Sequence, residues 1–306
     1  MIDRLMYQIE QLGNPTVVGL DPTLEMIPEK MLAEAGEKFG ETPEAMAFAL
    51  LKYNREIIDA IAGVVPAVKP NIAMYEQYGL DGIRAYIMTV EYAMGRGLIV
   101  IGDIKRGDIA STAAAYASHI NPVPLFDKKF EIWHEEAITL NPYLGTDSID
   151  PFLQVLAKRD KGIFVLVKTS NAGSADIQDI PVVSGDKTMP MYEHVAGLVN
   201  KWGADLIGES GYSKVGAVVG ATHPEIGARL REIMPNTFFL VPGYGAQGAT
   251  AKDIKGFFDT NGKGCIVNSS RGIIAAWKKE GKGAGHIAKC AHRAAINMRD
   301  EIMGVL

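Results

Sequence analysis

The run Leu98-Ile99-Val100-Ile101-Gly102-Asp103-Ile104-Lys105-Arg106-Gly107-Asp108-Ile109-Ala110-Ser111-Thr112 places an Asp-x-Lys-x-x-Asp pattern directly after four apolar residues. Two carboxylates around one ammonium can hold a fixed charge pattern where a substrate's own charge changes, and the ammonium can also deliver a proton. The spacing alone is equally compatible with a structural ion pair followed by a helix N-cap at Asp108. What favours chemistry is the setting. The apolar residues read as a buried parallel strand, a Ser/Thr/Ala-rich helix follows, and in parallel α/β architectures ligands sit at the carboxyl ends of strands.

Strand and helix patterns that would hold these residues recur along the chain. Short Val/Ile/Leu-rich runs predict strands near residues 16–21, 65–69, 98–103, 137–141, 163–168, 215–220, 238–241 and 265–268. Helical periodicity follows each, near 44–62, 73–95, 109–118, 148–159, 192–208, 224–234, 251–260 and 287–303. Eight such alternations in 306 residues, without a Ser/Pro-rich linker, favour an α/β fold made of a single (β/α)8 TIM barrel over residues 1–306 rather than two doubly wound domains. The segment 2–12 reads as an extra N-terminal helix closing the barrel bottom. Connections 22–43, 119–136 and 171–191 are longer than a barrel needs. The first and third follow strands one and five, and the third, with Gly173, Gly185 and Pro181, reads as a lid.

Composition narrows the function classes. A net charge of −5 argues against a surface that holds nucleic acid but allows a local cationic pocket for one phosphate. The two cysteines, Cys265 and Cys290, form no Cys-x-x-Cys and suit a reducing cytoplasm. No run of 18 or more apolar residues suggests a membrane span, and the start of the chain does not read as a signal peptide.

In a closed parallel barrel all strand ends share one face, so Asp21, Lys69, Asp103, Lys105 and Asp108 are expected to converge. Alternating charges keep each buried ion paired. Structural pairing alone explains five of them at separate strand ends poorly.

These strand ends resemble orotidine 5'-phosphate decarboxylase, over nearly the whole chain and in the form of its longer bacterial branch. On that resemblance Lys69, Asp103, Lys105 and Asp108 correspond to the catalytic charge network, with Asp108 and Thr112 reaching the active site of the other subunit of a homodimer. Asp21 corresponds to a ribose-hydroxyl ligand, and Ser170, in Val167-Lys168-Thr169-Ser170-Asn171, to the pyrimidine-recognising serine. The loop Gly243-Tyr244-Gly245-Ala246-Gln247-Gly248 corresponds to the phosphate loop, with Gly243, Gly245 and Gln247 as substrate contacts. Asn268-Ser269-Ser270-Arg271-Gly272 supplies Ser270 and the phosphate-binding Arg271. The resemblance implies decarboxylation of orotidine 5'-monophosphate (OMP) to uridine 5'-monophosphate (UMP) in de novo pyrimidine biosynthesis, without metal or organic cofactor, with Lys105 stabilising and protonating the C6 carbanion.

Other patterns carry less. Gly243 to Gly248 also satisfies G-x-G-x-x-G, but only 58 residues follow, too few for a dinucleotide fold that normally opens on this fingerprint. What the two share is physical: glycines let backbone amides approach a phosphate at a helix N-terminus, and a guanidinium such as Arg271 adds a fork of donors. His223, just after strand six, and His134, in Trp133-His134-Glu135-Glu136, lack partners at metal-ligand spacing. Gly208-Glu209-Ser210-Gly211-Tyr212 falls in the wrong type of connection for a nucleophile elbow. Met74, Met88 and Met94 read as core or dimer packing, and Lys128-Lys129 as a solvated turn. Three rival functions remain: a Mg2+-dependent sugar-phosphate decarboxylase or aldolase, in which an acid would stand in place of Lys69; a Schiff-base aldolase using Lys69, Lys105 or Lys168; and a barrel that only binds uridine phosphates.

Overall fold

The computed structural model describes residues 1–245 and 247–306; Ala246, in the glycine-rich loop, lies outside them. Eight parallel strands close in chain order: β1 (Thr16–Leu20), β2 (Ala67–Pro70), β3 (Ile99–Arg106), β4 (Ala137–Leu140), β5 (Gly162–Lys168), β6 (Ser213–Val219), β7 (Thr237–Val241) and β8 (Cys265–Ser269), the last pairing back onto β1. The architecture is the (β/α)8 barrel expected from the alternating pattern.

Alternation along the strands builds two cores. Val17, Ile101, Ala137, Phe164 and Phe238 fill the barrel, whereas Val18, Val100, Ile138 and Val165 meet the surrounding helices. Phe164 and Phe238 are fully buried with ring centroids 6.5 Å apart. Each such side chain stabilises the fold by about 1.5–3 kcal/mol relative to exposure.

The helix Ile2–Leu12 floors the barrel as anticipated, sending Met1, Ile2, Leu5 and Met6 into the inner core. Gly162 makes room for it: a Cβ there would lie 2.2 Å from Met1 Cε. Asp3 on this helix accepts from the backbone N–H groups of Glu209 and Ser210, so the Gly208 to Tyr212 stretch is a turn clamped to the floor.

The long connections are not structureless. The first contains the helix Glu29–Phe39. The second contains the hairpin Val123–Leu125 with Lys128–Phe130, so Lys128 and Lys129 are solvated but lie on a strand, not in a turn. The third contains a short helix, Ala175–Gln178, and the hairpin Pro181–Ser184 with Lys187–Pro190. The single helix expected over 73–95 is two, Ala73–Glu76 and Gly79–Gly95. The chain is interrupted where Gly79 takes a left-handed φ of 61°, and Gly82 then passes so close to the Tyr75 carbonyl that a Cβ would lie 1.9 Å from it. Met74 packs on the core, while Met88 and Met94 are exposed.

Candidate active site

β3 is longer than its apolar run suggests, and its register against β4 slips between Gly102 and Arg106. Gly102 pairs with Ile138 and Arg106 with Leu140, so three residues of β3 oppose one of β4. Such a bulge re-aims side chains at the rim of a barrel. Lys105, within it, has φ 46°, a left-handed conformation costly for a side chain of its size. The Lys105 N–H donates to Thr139 Oγ1 at 2.9 Å, and that hydroxyl donates to Asp103 Oδ1 at 3.1 Å.

At the mouth of the barrel Asp103 joins two ammoniums. Lys69 Nζ donates to Asp103 Oδ2 at 2.5 Å, and Lys105 Nζ donates to Asp103 Oδ1. Lys69 and Asp103 are almost wholly buried, while Lys105 is about half exposed (47%) and thus the most accessible member of the trio. Burial alone would push the Asp103 carboxyl up, but the Lys69 and Lys105 ammoniums outweigh it and hold it well below the ordinary range. Burial likewise opposes charge on Lys69, and the Asp103 and Asp21 carboxylates overcome it, raising its pKa.

Asp21, at the end of β1, accepts from Ser270 Oγ at 2.6 Å through Oδ2, and Ser270 in turn accepts from Asn268 Nδ2 at 3.3 Å. Asp21 Oδ1 and Asn268 Oδ1 are both buried without a hydrogen-bond partner among the described residues. Buried acceptors of this kind cost free energy until a donor arrives, and a ligand hydroxyl is such a donor. Gly19 permits the arrangement, since a Cβ there would lie 1.9 Å from Ser270 Oγ.

Asp108 does not join the charge cluster. Its Oδ1 accepts from its own neighbour's N–H, Ile109 N, at 2.7 Å, and it makes no ion pair among the described residues. Thr112 sits half-buried on the helix Ala110–Tyr116. The convergence expected of five charges is therefore, within one chain, a trio with Asp21 beside it.

A cavity of about 920 Å³ opens from the trio toward the third long connection, lined by Lys69, Asp103, Lys105, Thr139 and Ser170 and by apolar side chains such as Val195 and Leu198. That is within the size range of small-molecule sites. Ser170 forms part of its wall beside the glycine-rich loop: a Cβ on Gly243, φ 102°, would lie 3.2 Å from Ser170 Cβ and 3.0 Å from Gln247 Oε1. Gly245 also has positive φ, at 70°. Gln247 and Arg271 are exposed, and Asp21, Thr112, Gln247, Ser270 and Arg271 stand outside the cavity lining. Arg271 begins the short helix Arg271–Ile274.

Spacing did not single out Thr139. Its signal is the inward parity it shares with Ala137 near the end of β4, where a hydroxyl replaces an apolar residue. Nor did it indicate how the third connection is tied down. Gln178 Oε1 accepts from the Thr169 N–H at 2.9 Å, and its Nε2 donates to Thr169 Oγ1 at 2.9 Å. Lys168, fully buried at the end of β5, donates to Asp179 Oδ1 at 2.5 Å and to Ser174 Oγ at 3.1 Å. His223 precedes the helix Pro224–Ile233, and His134 Nε2 lies 3.4 Å from Glu91. Among the described residues no group of three or more His, Cys, Asp or Glu is arranged to hold a metal ion.

Residues 16–284 match the model of the orotidine 5'-phosphate decarboxylase / HUMPS family. A protein named orotidine 5'-phosphate decarboxylase from Clostridium acetobutylicum is 43% identical over 307 residues, covering 100% of both chains. One of the same name from Caldicellulosiruptor bescii is 42% identical over 301 residues, covering 98% of this chain and 97% of that one. The structure of Leishmania donovani OMP decarboxylase superposes with a TM-score of 0.73 at 31% identity, covering 99% of this chain and 98% of that one.

Proposed function

Because the chain belongs to the orotidine 5'-phosphate decarboxylase / HUMPS family, we propose that it decarboxylates OMP to UMP and CO2 in pyrimidine biosynthesis, with Lys105 as its central catalytic residue. The observation that carries this reading is the Lys69–Asp103–Lys105 trio at the mouth of the barrel, all three lining the cavity and Lys105 the most exposed of them. Departure of CO2 leaves the bonding electron pair at pyrimidine C6, which no neighbouring carbonyl delocalises. The Lys105 ammonium stabilises that charge and then donates its proton to C6. Asp103 lies against the substrate carboxylate and holds both lysines; neither step calls for a metal or organic cofactor.

Binding is distributed over the strand ends. Asp21, oriented by Ser270 and with Oδ1 unpartnered, takes a ribose hydroxyl. Ser170 reads the pyrimidine. Gly243, Gly245 and Gln247 with Arg271 take the phosphate, whose binding energy helps close the lid over the base. Enzymes lower barriers by roughly 8–23 kcal/mol, more than a single lysine supplies, so these remote contacts contribute to catalysis.

We assign Asp108 and Thr112 to the active site of a second copy in a homodimer whose single-domain protomers span residues 1–306. Ile109 between them is exposed, and among the described residues Asp108 bonds nothing beyond its own turn. Two free, buried cysteines accord with a reducing cytoplasm. No helix is long and apolar enough to cross a membrane among the described residues.

Two rival chemistries fit less well. An ammonium at Lys69, bonded to Asp103, repels the Mg2+ that an enediolate mechanism needs. A Schiff-base lysine needs a lowered pKa, whereas Lys69 is raised, and Lys105 and Lys168 are each bonded to a carboxylate.

The test follows OMP absorbance with EDTA-treated protein and a Lys105→Ala variant. Rapid loss in the wild type and near-complete failure of the variant support the reading. A wild type that binds UMP without turning over OMP indicates a binding protein, and Mg2+-dependent activity on sugar phosphates indicates the metal-dependent branch. Shared sites are tested by mixing Lys105→Ala and Asp108→Asn proteins: recovered activity requires sites built from two chains, and none indicates that each chain acts alone.

A further inference from the structure

Behind the catalytic strand, on the side of β3 away from the cavity, lies a polar cluster that the decarboxylation reading does not use. Glu135 and Tyr86 are fully buried and His119 nearly so. Tyr86 Oη donates to Glu135 Oε1, and His119 Nδ1 lies 2.6 Å from Glu135 Oε2. Lys161 Nζ donates to the Glu135 carbonyl at 2.7 Å. Trp133 stacks on the His119 ring at 4.2 Å between centroids and 17° between planes. These residues come from four different parts of the chain, and each buried polar group finds its partner within the cluster.

The cluster presses on one residue of β3. A Cβ on Gly102 would lie 2.3 Å from Glu135 Oε1 and 3.0 Å from Tyr86 Oη, so the carboxylate occupies the space that a side chain would fill. Gly102 is also the last residue of β3 in regular register before the bulge that carries Asp103 and Lys105. On the cavity side the same bulge is held by the Thr139 hydroxyl. The left-handed Lys105 backbone is thus held directly by Thr139 on the cavity face, while the residue leading into the bulge, Gly102, is backed by Glu135 on the other face, and strained conformations persist only where their surroundings over-determine them.

We propose that Glu135, locked by Tyr86 and His119, is a positioning residue that sets the bulge of β3 and so aims Asp103 and Lys105 at the reacting carbon. It touches no substrate and acts through Gly102. The inference rests on the decarboxylase reading. Misplacing a reacting group by about 1 Å can cost on the order of 100-fold in rate. Glu135→Gln keeps the shape but cannot accept from both Tyr86 and His119 as the carboxylate does. Tyr86→Phe removes one hydroxyl and nothing else.

The experiment measures kcat and KM for OMP, the Kd for UMP and the thermal midpoint of wild type, Glu135→Gln and Tyr86→Phe. A wild type that fails to turn over OMP overturns the decarboxylase reading itself. With an active wild type, the expected result is kcat lowered about tenfold or more in Glu135→Gln and several-fold in Tyr86→Phe, with KM and the UMP Kd within about twofold, because the ribose and phosphate contacts lie on other strands. Wild-type kcat in Tyr86→Phe, or a Glu135→Gln rate that falls only in proportion to its folded fraction, overturns the proposal and leaves the cluster a purely structural one. Should Glu135→Gln fail to fold, Tyr86→Phe alone decides.

Discussion

Lys69 Nζ and Asp103 Oδ2 lie 2.5 Å apart, from adjacent strands of the barrel, in a pair with almost no contact with water. An ion pair so buried is held together by strong attraction, but it also makes each partner depend on the other. Removal of one partner from a buried pair typically costs 3–5 kcal/mol because a charge is left uncompensated. Asp103→Asn is therefore expected to lose OMP turnover and to lower stability by about that amount, read as the shift in urea midpoint at constant slope. An unchanged midpoint would show that the pair contributes nothing to the fold.

The same pair gives a pH dependence whose sign follows from its shifts. The Asp103 carboxyl is lower in the folded state, so its contribution is present above about pH 4 and is lost as pH falls through the folded value. The Lys69 ammonium is raised, so its contribution is complete below about pH 10 and is lost as pH rises through the folded value. Thermal midpoints measured across pH should show this pair contributing fully from about pH 4 to 10, with Asp103→Asn flattening the acid limb relative to wild type. Parallel acid limbs in the two proteins would contradict the assignment.

Gly243→Ala should weaken nucleotide binding as well as the fold. The residue has φ 102°, and its new Cβ would press on Gln247 Oε1 at 3.0 Å and Ser170 Cβ at 3.2 Å. Backbone strain of this kind costs about 1–3 kcal/mol. Since the strain falls on the loop proposed to take the phosphate, beside the proposed base contact Ser170, the expected outcome is a rise of roughly tenfold or more in the UMP Kd, measured by calorimetry. A wild-type Kd would remove this loop from the binding site.

Gln178→Ala should separate the third long connection from the end of β5. It deletes the two hydrogen bonds that Gln178 makes to Thr169, the residue preceding Ser170, but leaves the Thr169–Asn171 bond and the Lys168–Asp179 pair in place. Two such bonds contribute about 1–3 kcal/mol together. A several-fold higher KM for OMP with a modestly lowered thermal midpoint is expected; an unchanged KM would mean that this tether does not orient Ser170, the proposed pyrimidine contact.

Arg231→Lys tests the opposite face. The guanidinium is buried, donates to the carbonyls of Met234, Thr237, Phe257 and Gly264, and lies 3.7 Å from the Phe239 ring centroid. An ammonium cannot reproduce that fork. Stability should fall by about 2–4 kcal/mol with kcat of the folded protein unchanged, because these carbonyls ring the amino-terminal ends of β7 and β8, away from the catalytic face. A change in kcat without a change in midpoint would contradict this division of labour.

The barrel and the residues at its mouth can be read from the order of residues alone. Strand alternation and helical periodicity depend on local spacing, so eight βα units and their common face were legible before any coordinates, as was the flooring helix Ile2–Leu12. Charges following apolar runs marked Lys69, Asp103 and Lys105 for the same reason. Other features depend on contacts between distant segments. The bulge of β3 and the left-handed Lys105 follow from pairing with β4, and the buried cluster at Glu135 forms only when residues 86, 119 and 135 meet behind Gly102. The place of Asp108 outside the trio is equally invisible in spacing, because an Asp-x-Lys-x-x-Asp pattern does not reveal that the strand carries on through Arg106 before it turns. Periodicity records which face a residue occupies; which partner it finds there is settled by the packing of the whole chain.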